Sequence, residues 1–366
     1  MTDLTDRLQS IESDEVARRI RKAGVAGAGG AGFPSHVKWS NLDDVDYLLV
    51  NHQESEPNFY ADKWLGKEQA HELASFITTL TERWFDCVVL GTKEKHRDNW
   101  LGPLTDALNA TVYGPDDLPL DATSESGAVV AATPNVYTYS EESVLLMVTA
   151  GVSIGDQLPT DNGWLVHNTE TLYNISQALS GETPVTRKYV HVDGATPQHR
   201  CLEVPIGTPA TTLLEVAGVD GGVIDSDKIL ADGGPGWCYE FDSSPENFGV
   251  RKRTNAVLVL DEETAREHTE EDGQINVLSA RDWTDRPHET TPDSLVPEEV
   301  RIPRITNEAY RGLVKPSEPV VEAGDEVSEG DPIAIPNTEG ISNTQHASID
   351  GTVTDVTGTH IVIKQN

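Results

Sequence analysis

Basic residues are scarce in this chain. Only 27 Lys and Arg stand against 61 Asp and Glu over 366 residues, a formal charge of −34. Contacts with nucleic acid and with anionic lipid are driven by Lys and Arg neutralising phosphate, so this balance argues against both as direct partners. An acid-rich, Lys-poor surface stays hydrated where bulk salt screens self-repulsion, and we expect a salt-adapted, halophilic cytoplasmic protein. Cysteine is scarcer still. Cys87, Cys201 and Cys238 are too few and too scattered for a disulfide framework or a Cys-x-x-Cys zinc site. A four-thiolate iron–sulfur cluster cannot be built from this chain alone. Long apolar runs are missing as well: SVLLMVTAGVSIG falls short of the roughly 20 residues that span a bilayer. The N-terminal MTDLTDRLQSIESDE lacks the apolar core of a secretory leader. A soluble protein of two or three domains, without direct membrane insertion, is expected.

What is present reads as alternating elements. Ser13 to Lys22 predicts a helix with Ser13 as its cap and Gly24 closing it, since Val16 and Ile20 share a face. DYLLV (46–50) and DCVVL (86–90) predict buried strands, and Lys67 to Trp84 predicts a helix between them. Tyr137 to Gly151 and Leu172 to Leu179 read as further helices, which together suggests an α/β layer structure. From Thr186 to about Leu260 the chain turns to β-like runs with one short helix, TTLLEVAGV, a small α+β domain. Residues 262–299 are rich in Asp, Glu, Thr and Pro and read as a mostly irregular acidic linker. A compact β-module occupies 300–366.

Two segments carry chemistry. The loop GVAGAGGAGFPSHVK (24–38) contains a literal G-x-G-x-x-G at Gly27, Gly29 and Gly32. The dinucleotide fingerprint needs a strand before it and a helix opening inside it. Here a helix precedes and Pro34 follows, so that reading fails. Clustered glycines still let backbone approach a planar or phosphorylated ligand and leave amides open to phosphate oxygens; the bland alternative is a flexible surface hinge. The second segment follows DYLLV: Asn51, Gln53, Glu54, Ser55 and Glu56 sit at the C-terminal end of a strand, where α/β proteins place ligand groups. Amides and hydroxyls there can serve a heterocycle or ribityl chain, and a carboxylate can accept a ribose hydroxyl pair. Its bland alternative is a solvated acidic turn.

Taken together, GAGGAGFPSHVKW and VNHQESEPNFYADKW resemble the NADH-binding flavoprotein subunit of respiratory complex I and its relatives, the Rnf complex C subunit and the cobalamin reductase of propanediol utilisation. In order along the chain, YTYSEES (137–143) resembles the family's Y-x-x-G-E-E-T and VHNTET (166–171) its V-N-N-V-E-T. TRKYVHVDGA to KILADGGPGW resembles its soluble-ligand-binding β-grasp (SLBB) domain. VVEAGDEVSEGDPIA and HASIDGTVTDV resemble a barrel-sandwich hybrid, without the hairpin-tip Lys of a biotinyl or lipoyl carrier. The resemblance implies an α/β FMN/NADH domain at 1–181, an SLBB β-grasp at 182–261, a linker at 262–299 in place of the family's iron–sulfur segment, and a barrel-sandwich β-module at 300–366.

Residue by residue, the resemblance implies FMN against Gly27, Gly29 and Gly30. Asn51, Gln53, Glu54, Ser55, Tyr137 and Glu141 would complete the flavin pocket, and Asn168 and Thr171 would lie on the ribityl phosphate side. Phe33, Lys38, Glu56 and Glu142 would face NADH. Gln53 replaces the family's Asp, Ser140 the Gly of G-E-E, and His167 the first Asn. The implied activity is hydride transfer from NADH to FMN, with no cluster in this chain and no nucleophilic side chain needed. Electrons would leave to an electron-accepting protein, a redox-complex subunit or a soluble acceptor, in the cytoplasm or peripheral to a membrane complex. Two other readings stand beside it: a non-catalytic flavin-binding or scaffold subunit, and a corrinoid reductase or corrinoid-binding module.

Overall fold

A computed structural model describes Leu8, residues 11–310 and residues 312–366; most of the stretch inspected for a leader lies outside the described residues. The chain divides into two compact units, one of Met1–Ile20, Ser35–Ser55 and Asp62–Thr183, the other of Arg21–Pro34, Glu56–Ala61 and Pro184–Asn366.

The first unit is built on β1 (Tyr47–His52), β2 (Cys87–Lys93), β3 (Thr111–Tyr113), β4 (Gly127–Thr133) and β5 (Trp164–Asn168). They form one parallel sheet in the order β3-β4-β2-β1-β5. Strands of a parallel sheet are covered on both faces, which is why 48–50 and 87–90 are continuous apolar runs and fully buried. After β1 the chain builds outward on one side and then returns to place β5 on the other. The topology therefore reverses between β1 and β5, where open α/β sheets hold their ligands, beyond the C-terminal strand ends.

Several helix expectations shift. Lys67 to Trp84 belongs to two helices, Ala61–Glu68 and Ala70–Arg83, interrupted at Gln69 (φ −103°, ψ 20°). The second buries Leu73, Phe76, Ile77 and Leu80 as its periodicity predicts. Tyr137 to Gly151 divides into a 3-10 turn at Tyr137–Ser140 and a helix at Glu142–Ala150. Leu172 to Leu179 extends to Thr169–Gly181, because Asn168 caps it by accepting the Thr171 N–H at 3.2 Å. The first helix does span Ser13–Lys22, and Gly24 closes it at φ +74°. Ser13, expected as its cap, instead lies within the first turn and donates its hydroxyl to Asp43 at 2.6 Å.

The second unit contains a mixed seven-stranded sheet. Its strands are β6 (Arg187–Gly194), β7 (Arg200–Pro205), β8 (Lys228–Gly234), β9 (Trp237–Glu240), β10 (Ala256–Asp261), β11 (Gln274–Ile275) and β12 (Asp293–Ser294), in the order β11-β9-β8-β10-β6-β7-β12. The short helix Ala210–Val216 closes one core with Leu213 and Leu214 against Val190, Val192, Leu202 and Val204. Beyond lie β13 (Glu299–Pro303), β14 (Glu318–Pro319), β15 (Glu326–Val327), β16 (Pro332–Ile335), β17 (Gln345–His346), β18 (Gly351–Val356) and β19 (His360–Lys364), in a four- and a three-stranded sheet. Those two sheets share a core that includes Val300, Ile302, Ile333, Ile349, Val353 and Ile361.

The acidic segment 262–299 differs from its compositional reading. It holds few regular elements, but β11 and β12 form the two margins of the seven-stranded sheet. Ile275, Val277 and Trp283 are at most 4% exposed and share a core with Phe59, Ile229 and Leu258. With Ala265, these well-placed apolar side chains anchor it, a signal too sparse for periodicity to register.

Candidate functional site

In the first unit the polar side chains gather at the C-terminal ends of the strands. Asn51 stands in register with Gly91 of β2 and Asn168 of β5, at the reversal point. Its amide donates to Ser140 O at 2.7 Å while its Oδ1 accepts the Gln53 N–H at 3.1 Å, so both ends of the side chain are fixed. The buried Gln53 is tied to Thr133, at the end of β4, by a 3.0 Å bond from Nε2 to the Thr133 hydroxyl. Glu54 adopts φ +37° and turns its carboxylate onto the next helix, accepting Asp62 N–H at 3.4 Å and Lys63 N–H at 2.9 Å. Ser55 carries a buried hydroxyl with no hydrogen-bond partner among the described residues. An orphaned buried hydroxyl costs free energy unless a ligand or water meets it, and a flavin, rich in hydrogen-bonding heteroatoms, is a group that fits such a need.

The neighbouring helix starts complete this edge. Asn168 Oδ1 accepts both the amide and the hydroxyl of Thr171, and its Nδ2 donates to Asp62. Asp62 also accepts the Glu170 N–H at 2.7 Å. Glu141 caps the helix Glu142–Ala150 through the Val144 N–H at 2.9 Å. Burial pushes its carboxyl up, but bonds from Ser143 and the adjacent amides outweigh that and leave it below the ordinary value. Lys38 bridges both oxygens of Glu142 and donates to Val166 O at 3.1 Å. Trp39 Nε1 donates to His167 Nε2 at 2.8 Å, so this imidazole is an acceptor and neutral. Burial, with Lys38 nearby, holds it well below its usual range. Tyr137 is half-buried in the turn just before Ser140.

In the second unit the glycine loop is a closed turn. Gly27 N–H donates to Phe33 O and Gly32 N–H to Gly27 O, both at 2.9 Å. Gly29 and Ala31 are exposed at its tip, and Gly30, at φ +105°, has only Asn255 Nδ2 within 4 Å of where a Cβ would stand. This is backbone left open for a close approach. Phe33 sets its ring against Tyr310, 5.7 Å between centroids and steeply inclined at 74°. Glu56 is 9% exposed, and its carboxylate accepts the Gly236 N–H at 3.1 and 3.2 Å, fixing the turn between β8 and β9.

The structure thus gathers Lys38, Asn51, Gln53, Glu54, Ser55, Tyr137, Glu141, Glu142, Asn168 and Thr171 on the first unit. It places Gly27, Gly29, Gly30, Phe33 and Glu56 on the second. Sequence reasoning missed Asp62, Thr133 and the buried Lys63. Asp62 and Lys63 lie inside the quoted NFYADKW, but nothing in the sequence marks a lysine that is 3% exposed. Among the described residues, no group of three or more His, Cys, Asp or Glu is placed to hold a metal ion.

An edge of this kind, on a parallel sheet at its reversal point, in a chain with an open glycine loop, defines a nucleotide- or flavin-binding α/β protein. Residues 20–177 match the Nuo51 FMN-binding domain, which fits the superfamily that the motifs resemble. It is 33% identical over 256 residues to the cobalamin reductase PduS of Salmonella typhimurium, covering 69% of this chain and 51% of that protein. To the C subunit of the Na(+)-translocating ferredoxin:NAD(+) oxidoreductase complex of Acetobacterium woodii it is 24% identical over 268 residues, 71% of this chain and 55% of that one. The chain spans about half the length of these curated relatives. An NAD+-reducing [NiFe]-hydrogenase in the H2-reduced state shares the fold, with a TM-score of 0.53 at 17% identity, over 72% of this chain and 50% of that one. No helix among the described residues is long and apolar enough to cross a membrane.

Proposed function

We propose that the chain is a flavin-dependent NADH dehydrogenase-type electron-transfer protein. The observation that carries this reading is the polar strand edge from Asn51 to Ser55, with its buried, unpartnered serine hydroxyl, inside the residues that match the Nuo51 FMN-binding domain. Bound FMN supplies the redox chemistry, accepting a hydride from NADH and releasing electrons onward. The chain supplies orientation. Asn51 and Gln53, fixed by Ser140 and Thr133, shape the strand end beside the heterocycle, and Glu54, Ser55, Tyr137 and Glu141 complete its surroundings. The exposed Gly29 and the uncrowded Gly30, beside Gly27, leave room for close approach, while Asn168 and Thr171 serve the ribityl phosphate side. Phe33, Lys38, Glu56 and Glu142 are assigned to NADH.

The domain reading is part of the proposal: FMN/NADH domain 1–181, SLBB β-grasp 182–261, connecting segment 262–299 and barrel-sandwich module 300–366. With only Cys87, Cys201 and Cys238, all buried, the acceptor for a bound flavin's electrons would be a redox-complex partner or a soluble molecule. The likeness to PduS favours a second reading within the same chemistry, in which that acceptor is a corrinoid.

The test is the visible spectrum of protein purified in high salt, with flavin, iron and sulfide assays, followed by anaerobic addition of NADH. The expected result is one FMN per chain, no iron, and bleaching by NADH. Protein that is colourless and does not take up added FMN overturns the proposal. FMN without bleaching identifies a non-catalytic flavin subunit, and NADH-dependent reduction of cob(II)alamin selects the corrinoid acceptor. The −34 charge belongs to the same reading as a salt adaptation. At 0.01 M salt the Debye length grows to about 30 Å, so self-repulsion should lower the melting temperature and release flavin; full stability there counts against it.

A further inference from the structure

The glycine loop is held by residues more than two hundred positions away, all within the second unit. At its start, Lys252 Nζ donates to Gly24 O at 2.7 Å and to Thr344 O at 3.3 Å, and Asn343 Nδ2 donates to Val25 O at 2.8 Å. Arg21 Nε donates to Ser342 O at 3.0 Å just before it. At its far side, Asn307 Nδ2 donates to Ala31 O at 2.7 Å. The fit is tight where these groups meet it. A Cβ on Gly24 would stand 2.4 Å from Thr344 O, and one on Gly32 would stand 2.9 Å from Thr306 O. Gly30 has no such neighbour. The glycines therefore divide by role, with Gly24 and Gly32 required by this grip and Gly30 left open.

We propose that the terminal β-module, together with Lys252 from the segment between β9 and β10, is a clasp that sets the shape of the glycine loop for its ligand, with Lys252, Asn307 and Asn343 as positioning residues. The inference rests on the reading that Gly27, Gly29 and Gly30 lie against FMN. Four glycines in six residues give a free loop many conformations, each residue costing roughly 1–2 kcal/mol to fix. Ordering it in advance removes that cost from the binding step. The clasp is itself firm. Asn343 is buried, its carbonyl accepts the Ser317 hydroxyl at 2.5 Å, and Ser317 also bonds Ser342. A lysine as buried as Lys252 is costly unless its donors are engaged, and both carbonyls it meets lie on the two segments to be joined. Burial lowers its pKa to about 7, consistent with a group kept for its hydrogen bonds rather than for surface charge.

The experiment uses the full chain with Asn307→Ala, Asn343→Ala and Lys252→Met. FMN dissociation constants come from quenching of flavin fluorescence, and amide exchange over residues 24–34 is followed in the flavin-free protein by mass spectrometry. Each lost bond should weaken FMN by roughly five- to tenfold and speed exchange in the loop, with exchange in β10 as in the parent. A merely structural loss would instead speed exchange throughout the unit and lower the melting temperature. Asn307→Ala removes a partly exposed bond and decides the matter if the buried variants fail to fold. Parent-like FMN affinity and loop exchange in a folded Asn307→Ala or Asn343→Ala protein overturns the clasp. Failure of the parent itself to bind FMN overturns the flavin reading, and the proposal with it.

Discussion

Lys38 Nζ lies 2.9 and 3.0 Å from the two carboxylate oxygens of Glu142 and 3.1 Å from Val166 O. Both residues are assigned to NADH, yet here they neutralise each other. The pair is partly exposed, 26% and 38%, so its contribution to stability is at most about 1 kcal/mol. Its effect on nucleotide should be larger. Lys38→Met leaves the Glu142 carboxylate uncompensated at the proposed nucleotide site, and should raise KM for NADH about tenfold with kcat and FMN content little changed. Adding Glu142→Gln should recover part of the loss. Strict additivity of the two substitutions in steady-state kinetics would show that the pair does not act together at the nucleotide.

Asp62 joins two helix starts. It lies in the helix capped by Glu54, and its Oδ1 accepts the Glu170 N–H at 2.7 Å at the head of the helix Thr169–Gly181. Glu170 is 2% exposed, so removing the acceptor leaves a buried donor unmade. Asp62→Ala should cost about 1–3 kcal/mol in urea unfolding, and Asp62→Asn less, because an acceptor remains. A loss for Asp62→Ala within about 0.5 kcal/mol, the range of ordinary surface changes, would show that the bond carries no weight.

Buried histidines give the protein an acid limit. Burial lowers His52 to about 3, with Lys63 adding to the effect; burial also takes His346 to about 3 and His199 to about 4. Each is neutral when folded and protonates near pH 6.5 when unfolded, so below that pH the unfolded chain binds more protons and stability falls. Each such group can contribute up to about 1.4 kcal/mol per pH unit, lost progressively from pH 6.5 down to its folded value. Urea midpoints at constant salt should therefore drop steadily between pH 7 and pH 5, and His52→Asn should flatten the slope. An unchanged slope in that variant would exclude His52 as a contributor.

The sequence carried the sheet better than the polar contacts. DYLLV and DCVVL declare themselves because strands covered on both faces must be apolar throughout. β4, GAVVAAT, is as buried at its C-terminal end, but its small side chains carry no periodic signal. Lys252 reads as one more surface charge, since its partner Gly24 lies 228 residues away. The acceptor of the Gly236 N–H is Glu56, 180 residues distant. Nor does a glycine reveal whether a neighbour or a ligand demands it: Gly24 and Gly30 both have positive φ, and only the former is crowded by protein.

Trp283 gives the sharpest test of the segment 262–299. Composition alone suggests a mostly irregular acidic linker. Instead Trp283 is 4% exposed, its Nε1 donates to Val277 O at 3.0 Å, and its ring shares a core with Ile229, Ala231 and Leu258 of the seven-stranded sheet. Truncating a buried tryptophan costs about 3–5 kcal/mol through lost transfer energy and the cavity left behind, and this one also strands a carbonyl. Trp283→Ala should therefore lower the stability of the second unit by that amount in chemical denaturation, and Trp283→Phe by less. Deleting 276–290 should unfold that unit. A freely tolerated deletion, with unchanged unfolding and unchanged exchange in β8 and β10, would show that the segment is a tether after all and that its packing adds nothing to the sheet.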